Sequence, residues 1–449
     1  MTELDWQAAS AATEEQGAAA DAPVLPSQRK GSVDGSGIKP EFDGEPWETG
    51  DLARAVFYSQ RVVRRQTYPR VRGMRLPGAR VALSIARLFY WYSAMAGKVA
   101  RLGRSRWAQL RDIAVIARRH NLDAQAYYMF ELYRPEHFAR AGGYVTRYET
   151  KNGLYKLLQQ QHPEYLQKTP LDDKVLFREF CIRHGLSHPA LIAVAADGVL
   201  RMVDGAAEPP QRDLFVKPIN SKGSNGTEVI RRSPSGAYVG ASGLSVDWPE
   251  LSRLLAERSK DQPLLVQGLL YNHPDMAELA GESVVAIRMI TCWDQRGEPI
   301  LTHAMLRIIP KLEIKWALRS ELGAAVDLET GRLGPMTGDK RDSLMSWWDQ
   351  HPVTGAQVTG RVVPDWTEAK RLVLAAQRAT HGRYMVGWDV AITPEGPVLL
   401  EGNAFPDVDF PQRTHRRAIG DSPLGPPLHD WLMDLRHRVA TGTLKRWKF

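Results

Sequence analysis

Short apolar runs separated by turn residues dominate the chain between about residue 190 and residue 405. Runs of four to eight apolar or alternating residues bounded by Gly, Pro, Asn or Asp are typical of strands. Tight turns such as Asp197-Gly198 join several neighbouring runs, which indicates antiparallel hairpins. The predicted strands and hairpins lie at 191–203, 213–218, 227–231, 237–240, 263–270, 284–294, 300–309 and 385–405.

Apolar positions recur at helical spacing outside these runs. One predicted helix, at 170–190, is entered at Asp172-Asp173 and carries Leu176, Phe177, Phe180 and Cys181 on one stripe. The other predicted helices lie at 248–258, 365–380 and 428–438. Strands joined mainly by hairpins, with separate helices, favour an α+β architecture.

The N-terminal part of the chain has a different composition. Residues 1–50 are rich in Ala, Glu, Gly, Ser and Pro without a sustained apolar period, which predicts a disordered tail. Residues 51–140 are predicted to be helical and amphipathic. Residues 51–119 contain fifteen arginines and one lysine but only two acids, so they carry +14 in a chain of net charge +8. A basic segment of this kind implies an anionic partner.

The most apolar part of this basic segment, 81–102, contains Arg87 and Lys98 beside the aromatic cluster 89–92. No uncharged run reaches the ~20 residues of a membrane-spanning helix. Three interpretations stay open. The helix docks its aromatics on the main domain, or it lies on an anionic membrane surface, or it binds nucleic acid, which no helix-turn-helix, zinc-finger or RNA-binding pattern supports.

The length of the chain, 449 residues, suggests two to three domains. Its two cysteines, Cys181 and Cys292, are far apart and lie in apolar runs. We therefore expect a reduced, cytoplasmic protein without a disulfide framework or a thiolate metal site. The N-terminus begins acidic and lacks an apolar core segment, so no signal peptide is expected.

Three polar residues mark the predicted hairpin around the turn Thr393-Pro394-Glu395-Gly396. If paired positions sum to about 790, Asp389 faces Glu401, and opposed Cβ atoms lie ~4.5–5.5 Å apart. Alternation then places Asn403 on the same face as Glu401. Two carboxylates this close repel unless a cation lies between them. A hard ion such as Mg²⁺ takes oxygen ligands of this type, so the hairpin predicts a magnesium site.

The run DLFVKPINSKGSNG carries a second chemical signal, because a predicted strand ends at Lys217 and opens into a glycine-rich loop. Gly223 and Gly226 allow backbone N–H groups to approach phosphate closely, and a lysine suits phosphate oxygens. The loop is neither a Walker A loop nor a Rossmann fingerprint. A Gly/Ser loop after a strand is by itself more often an ordinary hairpin turn, and the acidic trio downstream gives it its significance.

Together, the strand lysine, the glycine-rich loop and the Asp389…Glu401-x-Asn403 trio resemble the ATP-grasp superfamily. A finer resemblance, to the sugar-transfer-associated ATP-grasp group, extends over about residues 121–435. It rests on the runs NLDAQAYYMFELYRPEH (121–137), DDKVLFREFCIRHGL (172–186), YNHPDMAEL (271–279), VVAIRMIT (284–291), AAVDLETGRL (324–333) and GWDVAITPEGPVLLEGNAFPD (387–407). The resemblance implies two α+β subdomains that clamp ATP, at 151–270 and 271–449, after a basic helical region at 51–150.

The resemblance also implies roles for individual residues. Lys174 and Lys217 match lysines that touch phosphates, and the acidic trio matches the Mg²⁺ ligands. The residues that match the loop over the β- and γ-phosphates are Ser221, Lys222, Gly223, Ser224, Asn225 and Gly226. The residues at the hinge, where the backbone meets adenine, are Val266, Gln267 and Gly268.

Arg288 lies in the middle of the apolar run VVAIRMIT. A buried guanidinium without a partner is very costly, so we expect an anionic partner. That partner is either a structural carboxylate or the γ-phosphate or acyl-phosphate, because the resemblance places this strand in the active site. The same argument predicts an anionic partner for Arg307. Both, together with Lys217, are the expected catalytic residues.

The resemblance implies an ATP-dependent carboxylate–amine ligase that uses ATP and Mg²⁺ and passes through an acyl-phosphate. The subgroup implies small-molecule or sugar substrates in cell-surface polysaccharide or sugar-conjugate biosynthesis. Two alternatives stay open: a kinase that phosphorylates a hydroxyl, and a non-catalytic nucleotide-binding scaffold at the membrane surface. The chain departs from most ATP-grasp ligases because a basic helical region replaces the usual Rossmann-like first domain, so the carboxylate substrate does not carry over.

Overall fold

The computed structural model describes residues 79–120, 122–150, 155, 169–203, 208–219, 226–240, 243, 245–280, 283–308, 321–380 and 383–443. The predicted tail at 1–50 and the first part of the basic segment lie outside the described residues. So do five residues of the predicted phosphate loop, Ser221, Lys222, Gly223, Ser224 and Asn225. The described strands form two seven-stranded antiparallel sheets with separate helices, which confirms the α+β prediction.

Short helices form an N-terminal layer and confirm the helical prediction for this part of the chain. They are α1 (Ala79–Ala100), α2 (Arg106–His120), α3 (Ala124–Met129) and α4 (Pro135–Ala139). Trp91, Met95 and Val99 of α1 are buried in a core shared with Leu344 of the main domain. The aromatic cluster is therefore divided, because Phe89 points outward. No described helix is long and apolar enough to cross a membrane.

A buried polar network anchors this helical layer to the rest of the molecule. The carboxylate of Glu131 accepts hydrogen bonds from Trp347 Nε1 at 2.9 Å and from Arg134 Nε at 3.1 Å. Arg413 is fully buried and donates to the Met129 carbonyl at 2.9 Å. Burial alone would raise the pKa of Glu131. The charge of the Arg413 guanidinium, together with the other partners of the carboxylate, outweighs burial and lowers that pKa. The run 121–137 thus packs as part of the molecule.

Helix α5 (Lys174–Arg183) begins where predicted, because Asp173 caps it by accepting the backbone N–H groups of Val175 and Leu176. The expected apolar stripe is confirmed for Phe177, Phe180 and Cys181, which are buried. It is wrong for Leu176, which is exposed. The buried stripe packs into the core of the second sheet, although α5 precedes the first sheet in the chain.

The first sheet has the strand order β2-β1-β7-β3-β4-β5-β6. Its strands are β1 (Leu191–Ala196), β2 (Val199–Met202), β3 (Leu214–Pro218), β4 (Glu228–Arg232), β5 (Tyr238–Val239), β6 (Ser245–Val246) and β7 (Leu264–Gly268). The β1–β2 turn has positive φ at both Asp197 and Gly198, as a two-residue hairpin requires. Helix α6 (Trp248–Arg258) covers one face with Leu251 and Leu255.

The second sheet has the strand order β12-β11-β10-β9-β8-β13-β14. After the single-turn helix α7 (Pro274–Ala277), its strands are β8 (Ala286–Trp293), β9 (Pro299–Ile308), β10 (Leu322–Val326), β11 (Leu333–Gly338), β12 (Trp347–Trp348), β13 (Met385–Thr393) and β14 (Gly396–Asn403). Helix α8 (Trp366–Ala379) packs Val373 against Ile287 and Trp388 on one face.

Several elements of this sheet were not predicted from the sequence. Strands β10, β11 and β12 are short, and the first two contain glycine or proline, so their apolar pattern is weak. Helix α9 (Asp409–His415) contains Pro411 and shows no helical period. The last helix, α10 (Gly425–Ala440), covers the predicted 428–438. The subdomain boundaries at 151–270 and 271–449 stay predictions.

Candidate functional site

The hairpin β13–β14 pairs Asp389 with Glu401 and Gly387 with Asn403, as the sequence predicts. The tight turn alone does not produce this register. Near the turn, Thr393 pairs with Gly396 and Val390 with Leu399, which would place Asp389 opposite Leu400. A β-bulge between Asp389 and Val390 shifts the register by one residue. Since a one-residue shift moves side chains to the other face, the bulge puts Glu401 on the face of Asp389.

Strand β8 lies on the other side of β13 and places Arg288 directly opposite Asp389. The guanidinium binds both carboxylate oxygens, with Nε to Oδ1 at 2.5 Å and Nη2 to Oδ2 at 2.9 Å. Both residues are only 8% exposed. A bidentate pair of this kind is among the stronger charged contacts in proteins. Asp389 is therefore the anionic partner that the burial of Arg288 predicts.

Arg307 on β9 is the second cation of the site. Its Nη1 lies 3.4 Å from both oxygens of Asp389, and its Nε donates to Glu321 Oε1 at 2.5 Å. Burial alone would raise the pKa of Asp389, but Arg288 and Arg307 outweigh it and hold the pKa at about 2. Burial alone would lower the pKa of Arg307, but Asp389 and Glu321 raise it above its usual value. Asp389 and Arg307 therefore both stay charged at neutral pH.

Glu401 and Asn403 face solvent at the end of the hairpin. Asn403 donates a hydrogen bond from Nδ2 to Glu401 Oε1 at 3.1 Å. The amide oxygen of Asn403 takes no part in this bond. Neighbouring protein atoms keep water from the Glu401 carboxylate, and this desolvation, followed by the charge of Asp389, raises the pKa of Glu401. Its charge is thus destabilised in the absence of a cation. Among the described residues, no group of three His, Cys, Asp or Glu side chains forms a metal site, and the trio contains two carboxylates and one amide.

Lys217 reaches the same place from the first sheet. Leu214 and Val216 of β3 pack in the core under α6, so alternation turns Lys217 to the opposite face. Burial and the charge of Lys174 lower the pKa of Lys217 to about 8, while the carboxylate of Glu401 opposes that shift. The interaction with Glu401 joins the end of β3 to the hairpin of the second sheet.

Lys174 closes the start of the glycine-rich loop. Its Nζ donates to the carbonyl oxygens of Pro218 and Ile219 at 3.0 and 2.8 Å. Burial lowers its pKa, and Glu401 and Asp173 oppose the shift. At the far end of the loop, Gly226 has φ +75°, a conformation that favours glycine. The structure therefore brings Lys174, Lys217 and Glu401 together, as the sequence predicts.

The predicted hinge residues lie at the end of a central strand. Val266 pairs with both Ala193 and Val216, and Gln267 pairs with both of its neighbouring strands. The backbone N–H of Gly268 donates to Ala190, and that of Leu269 donates to Asp213. Because β7 is a central strand, its backbone groups are used inside the sheet. The role of Val266, Gln267 and Gly268 in holding adenine stays a prediction.

Sequence reasoning missed two acids beside Arg307. Glu321 precedes β10 and Asp339 follows β11, and the two are joined by a bond from Glu321 N to Asp339 Oδ1 at 3.0 Å. Burial and the neighbouring Glu321 carboxylate raise the pKa of Asp339 to about 6. The unpredicted β10–β11 pairing brings these residues together, so no local sequence signal could have found them.

Two antiparallel sheets that bring a strand lysine and an acidic hairpin together define the ATP-grasp class of fold. The chain belongs to the sugar-transfer-associated ATP-grasp family, whose model matches residues 156–420, more than half of the chain. This match confirms the family that the sequence motifs indicated. No curated protein matches the chain.

Solved structures of similar fold include several ligases. N5-carboxyaminoimidazole synthetase from Staphylococcus aureus is 11% identical, with 53% of this chain and 45% of that chain covered and a TM-score of 0.29. An L-amino acid ligase from Bacillus licheniformis is 12% identical, with coverage of 58% and 48% and a TM-score of 0.33. D-alanine–D-alanine ligase from Bacillus anthracis, complexed with ATP, is 12% identical, with coverage of 61% and 68% and a TM-score of 0.33. The chain thus spans about half the length of the first two.

Proposed function

We propose that this protein is an ATP-dependent carboxylate–amine ligase that acts on small-molecule or sugar substrates in polysaccharide or sugar-conjugate biosynthesis. The observation that carries the proposal is the electrostatic attraction between Lys217, from one sheet, and Glu401, which lies opposite Asp389 in the other sheet. A lysine suits phosphate oxygens, and paired carboxylates suit a hard cation. The family, described by its association with sugar transfer, supports the substrate class.

The donor set of the hairpin fits Mg²⁺, because Asp389, Glu401 and Asn403 offer only oxygen ligands. Arg288 uses one bond to each oxygen of Asp389, and Arg307 makes a longer contact of 3.4 Å to both. Glu401 and Asn403 therefore offer the less occupied oxygens. The raised pKa of Glu401 indicates a carboxylate whose charge is not fully compensated by the protein. Mg²⁺ held by these residues would supply positive charge that offsets the negative charge of the phosphates during phosphoryl transfer.

The other side chains of the site have separate roles in the proposed reaction. Lys217 attracts phosphate oxygens of ATP, and Lys174 holds the strand end that presents it. Asp389 and Glu321 fix the orientation of Arg307, whose guanidinium stabilises the γ-phosphoryl group as it moves to the substrate carboxylate. The amine then attacks the acyl-phosphate and releases phosphate. No covalent nucleophile of the protein is needed for this sequence.

An ADP-release screen tests this function. The purified protein is given Mg²⁺, ATP and pairs of carboxylates and amines drawn from amino acids, uronic acids and amino sugars. A ligase releases ADP only when both partners are present, and mass analysis identifies an amide product. A stable phosphoester would instead establish a kinase. ATP binding without ADP release for any pair would favour a non-catalytic scaffold and contradict the proposal.

ATP affinity is expected to weaken as pH rises through about 8, the pKa of Lys217. Only the protonated ammonium attracts phosphate, so the attraction is present below this pKa and is lost above it. The expected loss is up to about tenfold from roughly one pH unit below the pKa to one above it. Equilibrium binding of a non-hydrolysable ATP analogue provides the measurement. Lys217→Arg stays charged over this range, so its affinity should not follow this titration. A wild-type affinity that stays constant would contradict the prediction.

A further inference from the structure

Five of the eleven exposed large apolar side chains of the described residues lie in one helical hairpin. Among the described residues, Ile85, Phe89, Tyr90, Leu102 and Trp107 all lie in α1, in the first turn of α2 or in the turn between them. Phe89 is 66% exposed, Leu102 is 59% exposed and Trp107 is 82% exposed. Single exposed apolar residues are common on protein surfaces. Five within one helical hairpin call for a partner.

The arrangement on α1 separates two apolar faces. Trp91, Met95 and Val99 face the protein core. Ile85 and Phe89 are four residues apart and therefore adjacent on the outer side of the helix, and both are exposed. The inner face packs on the core, and of the outer residues Tyr90 also contacts the main domain, since the Arg341 guanidinium lies 3.6 Å from its ring centroid. We call the outer residues Ile85, Phe89, Tyr90, Leu102 and Trp107 the aromatic surface.

Arginines surround the turn between α1 and α2. Residues 79–119 contain nine basic residues and one acid, Asp112. The part-buried Arg87 and Arg104 are neutralised by Asp123 and Asp112, at 2.8 and 2.6 Å. Five further arginines of the hairpin are exposed, and within the described part of the chain their nearest carboxylate contact is a distant one, from Arg111 Nε to Asp112 at 4.0 Å. These exposed arginines are Arg101, Arg106, Arg111, Arg118 and Arg119.

We propose that the aromatic surface and its arginines bind an anionic phospholipid bilayer. Aromatic side chains settle at the headgroup level, where their rings are partly apolar and partly wet. Exposed arginines are attracted to the negative surface of the bilayer. Both groups are exposed on the same hairpin, as interfacial binding requires. The proposal concerns the location of the protein and does not depend on the proposed ligase activity.

Two other partners fit this surface less well. A second copy of the chain would bring five exposed arginines of each copy together, whereas interface centres are depleted of charge. Single-stranded nucleic acid would use the aromatics for stacking, but Ile85 and Leu102 have no aromatic face to offer. The aliphatic residues beside the aromatics favour lipid. Nucleic-acid binding and self-association are therefore outcomes that the experiment must distinguish.

Co-sedimentation of the full chain with vesicles tests the proposal. Binding is expected with phosphatidylglycerol–phosphatidylcholine vesicles and not with phosphatidylcholine alone. It should weaken strongly between about 0.1 M and about 1 M salt, where the screening length falls from ~10 to ~3 Å. The double variants Phe89→Ser/Trp107→Ser and Arg101→Glu/Arg111→Glu should each lower vesicle partitioning by about tenfold or more.

Matched controls lie on other exposed surfaces. Ile182→Ser removes an exposed aliphatic side chain of α5, and Arg201→Glu reverses an exposed charge of β2; both should bind vesicles like the wild type. ATP binding measured without vesicles should be the same for all variants, which separates this proposal from the ligase. Four results would each overturn the proposal. They are equal binding to neutral vesicles, unchanged binding of the double variants, binding only to an oligonucleotide, and a dimer that Phe89→Ser/Trp107→Ser dissociates.

Discussion

Replacing Asp389 with alanine is expected to lower the free energy of unfolding by about 3–5 kcal/mol. The substitution removes the carboxylate that accepts both bonds of Arg288 and that lies near Arg307. Arg307 keeps Glu321 as a partner, but Arg288 remains buried with its charge uncompensated. Breaking a buried pair from one side costs more than the pair contributes, because the remaining ion has lost its solvent as well as its partner.

Denaturant unfolding, followed by tryptophan fluorescence, measures this loss. The control is the double variant Arg288→Met/Asp389→Leu, which removes both charges and keeps the volume apolar. It should recover most of the lost stability, because replacing a whole buried pair is often neutral. An alanine variant that unfolds at the wild-type midpoint would show that Arg288 finds another partner.

The same pair predicts the acid dependence of stability. The folded pKa of Asp389, about 2, lies below its unfolded value of about 3.9. The stabilisation is therefore present above about pH 4 and is lost as pH falls through the folded pKa. The difference in stability between the wild type and Asp389→Asn should shrink over that window.

Replacing Glu401 with glutamine is expected to lower ADP release by about 10²–10³-fold with the best substrate pair. The amide keeps the shape of the side chain but removes the charge that would hold Mg²⁺ and oppose phosphate repulsion. Stability should stay within about 1 kcal/mol of the wild type. Burial and then repulsion by Asp389 raise the pKa of Glu401, so removing this charge removes an unfavourable interaction from the folded protein.

A matched control lies in the same hairpin. Glu395 is exposed in the β13–β14 turn, and Glu395→Gln should leave turnover unchanged. The Mg²⁺ concentration for half-maximal ADP release should rise for Glu401→Gln and not for the control. Turnover of Glu401→Gln within tenfold of the wild type, or equal losses in both variants, would exclude Glu401 from the metal site.

Local signals were sufficient for much of the fold. The turn Asp197-Gly198 and the helix Trp248–Arg258 lie where the sequence predicted them. Both depend on residues that are neighbours in the chain: positive φ at a two-residue turn, and an aspartate that caps the first turn of a helix. Strands β10, β11 and β12 were missed because their pairing partners, rather than their own pattern, stabilise them.

The chemistry of the site was predicted only as far as residue identity allowed. The sequence indicated four candidate residues because each lies in a short local motif. Three of them, Asp389, Glu401 and Asn403, belong to one hairpin, and Lys217 lies at the end of one strand. The sequence does not show that β7, which carries the predicted hinge residues Val266, Gln267 and Gly268, has neighbouring strands on both sides. The partner of Arg288 was left open, since Asp389 is a hundred and one residues away in the chain.

The α+β class, the family and the side chains of the acidic hairpin follow from the amino-acid sequence, because these depend on short-range patterns and motifs. Three further points follow only from the folded arrangement: the bulge that turns Glu401 to the face of Asp389, the contacts of Arg288 and Arg307 with that carboxylate, and the outward face of α1. Each of these depends on contacts between distant segments. Such contacts form only when the chain buries its apolar surface, so no local pattern specifies them.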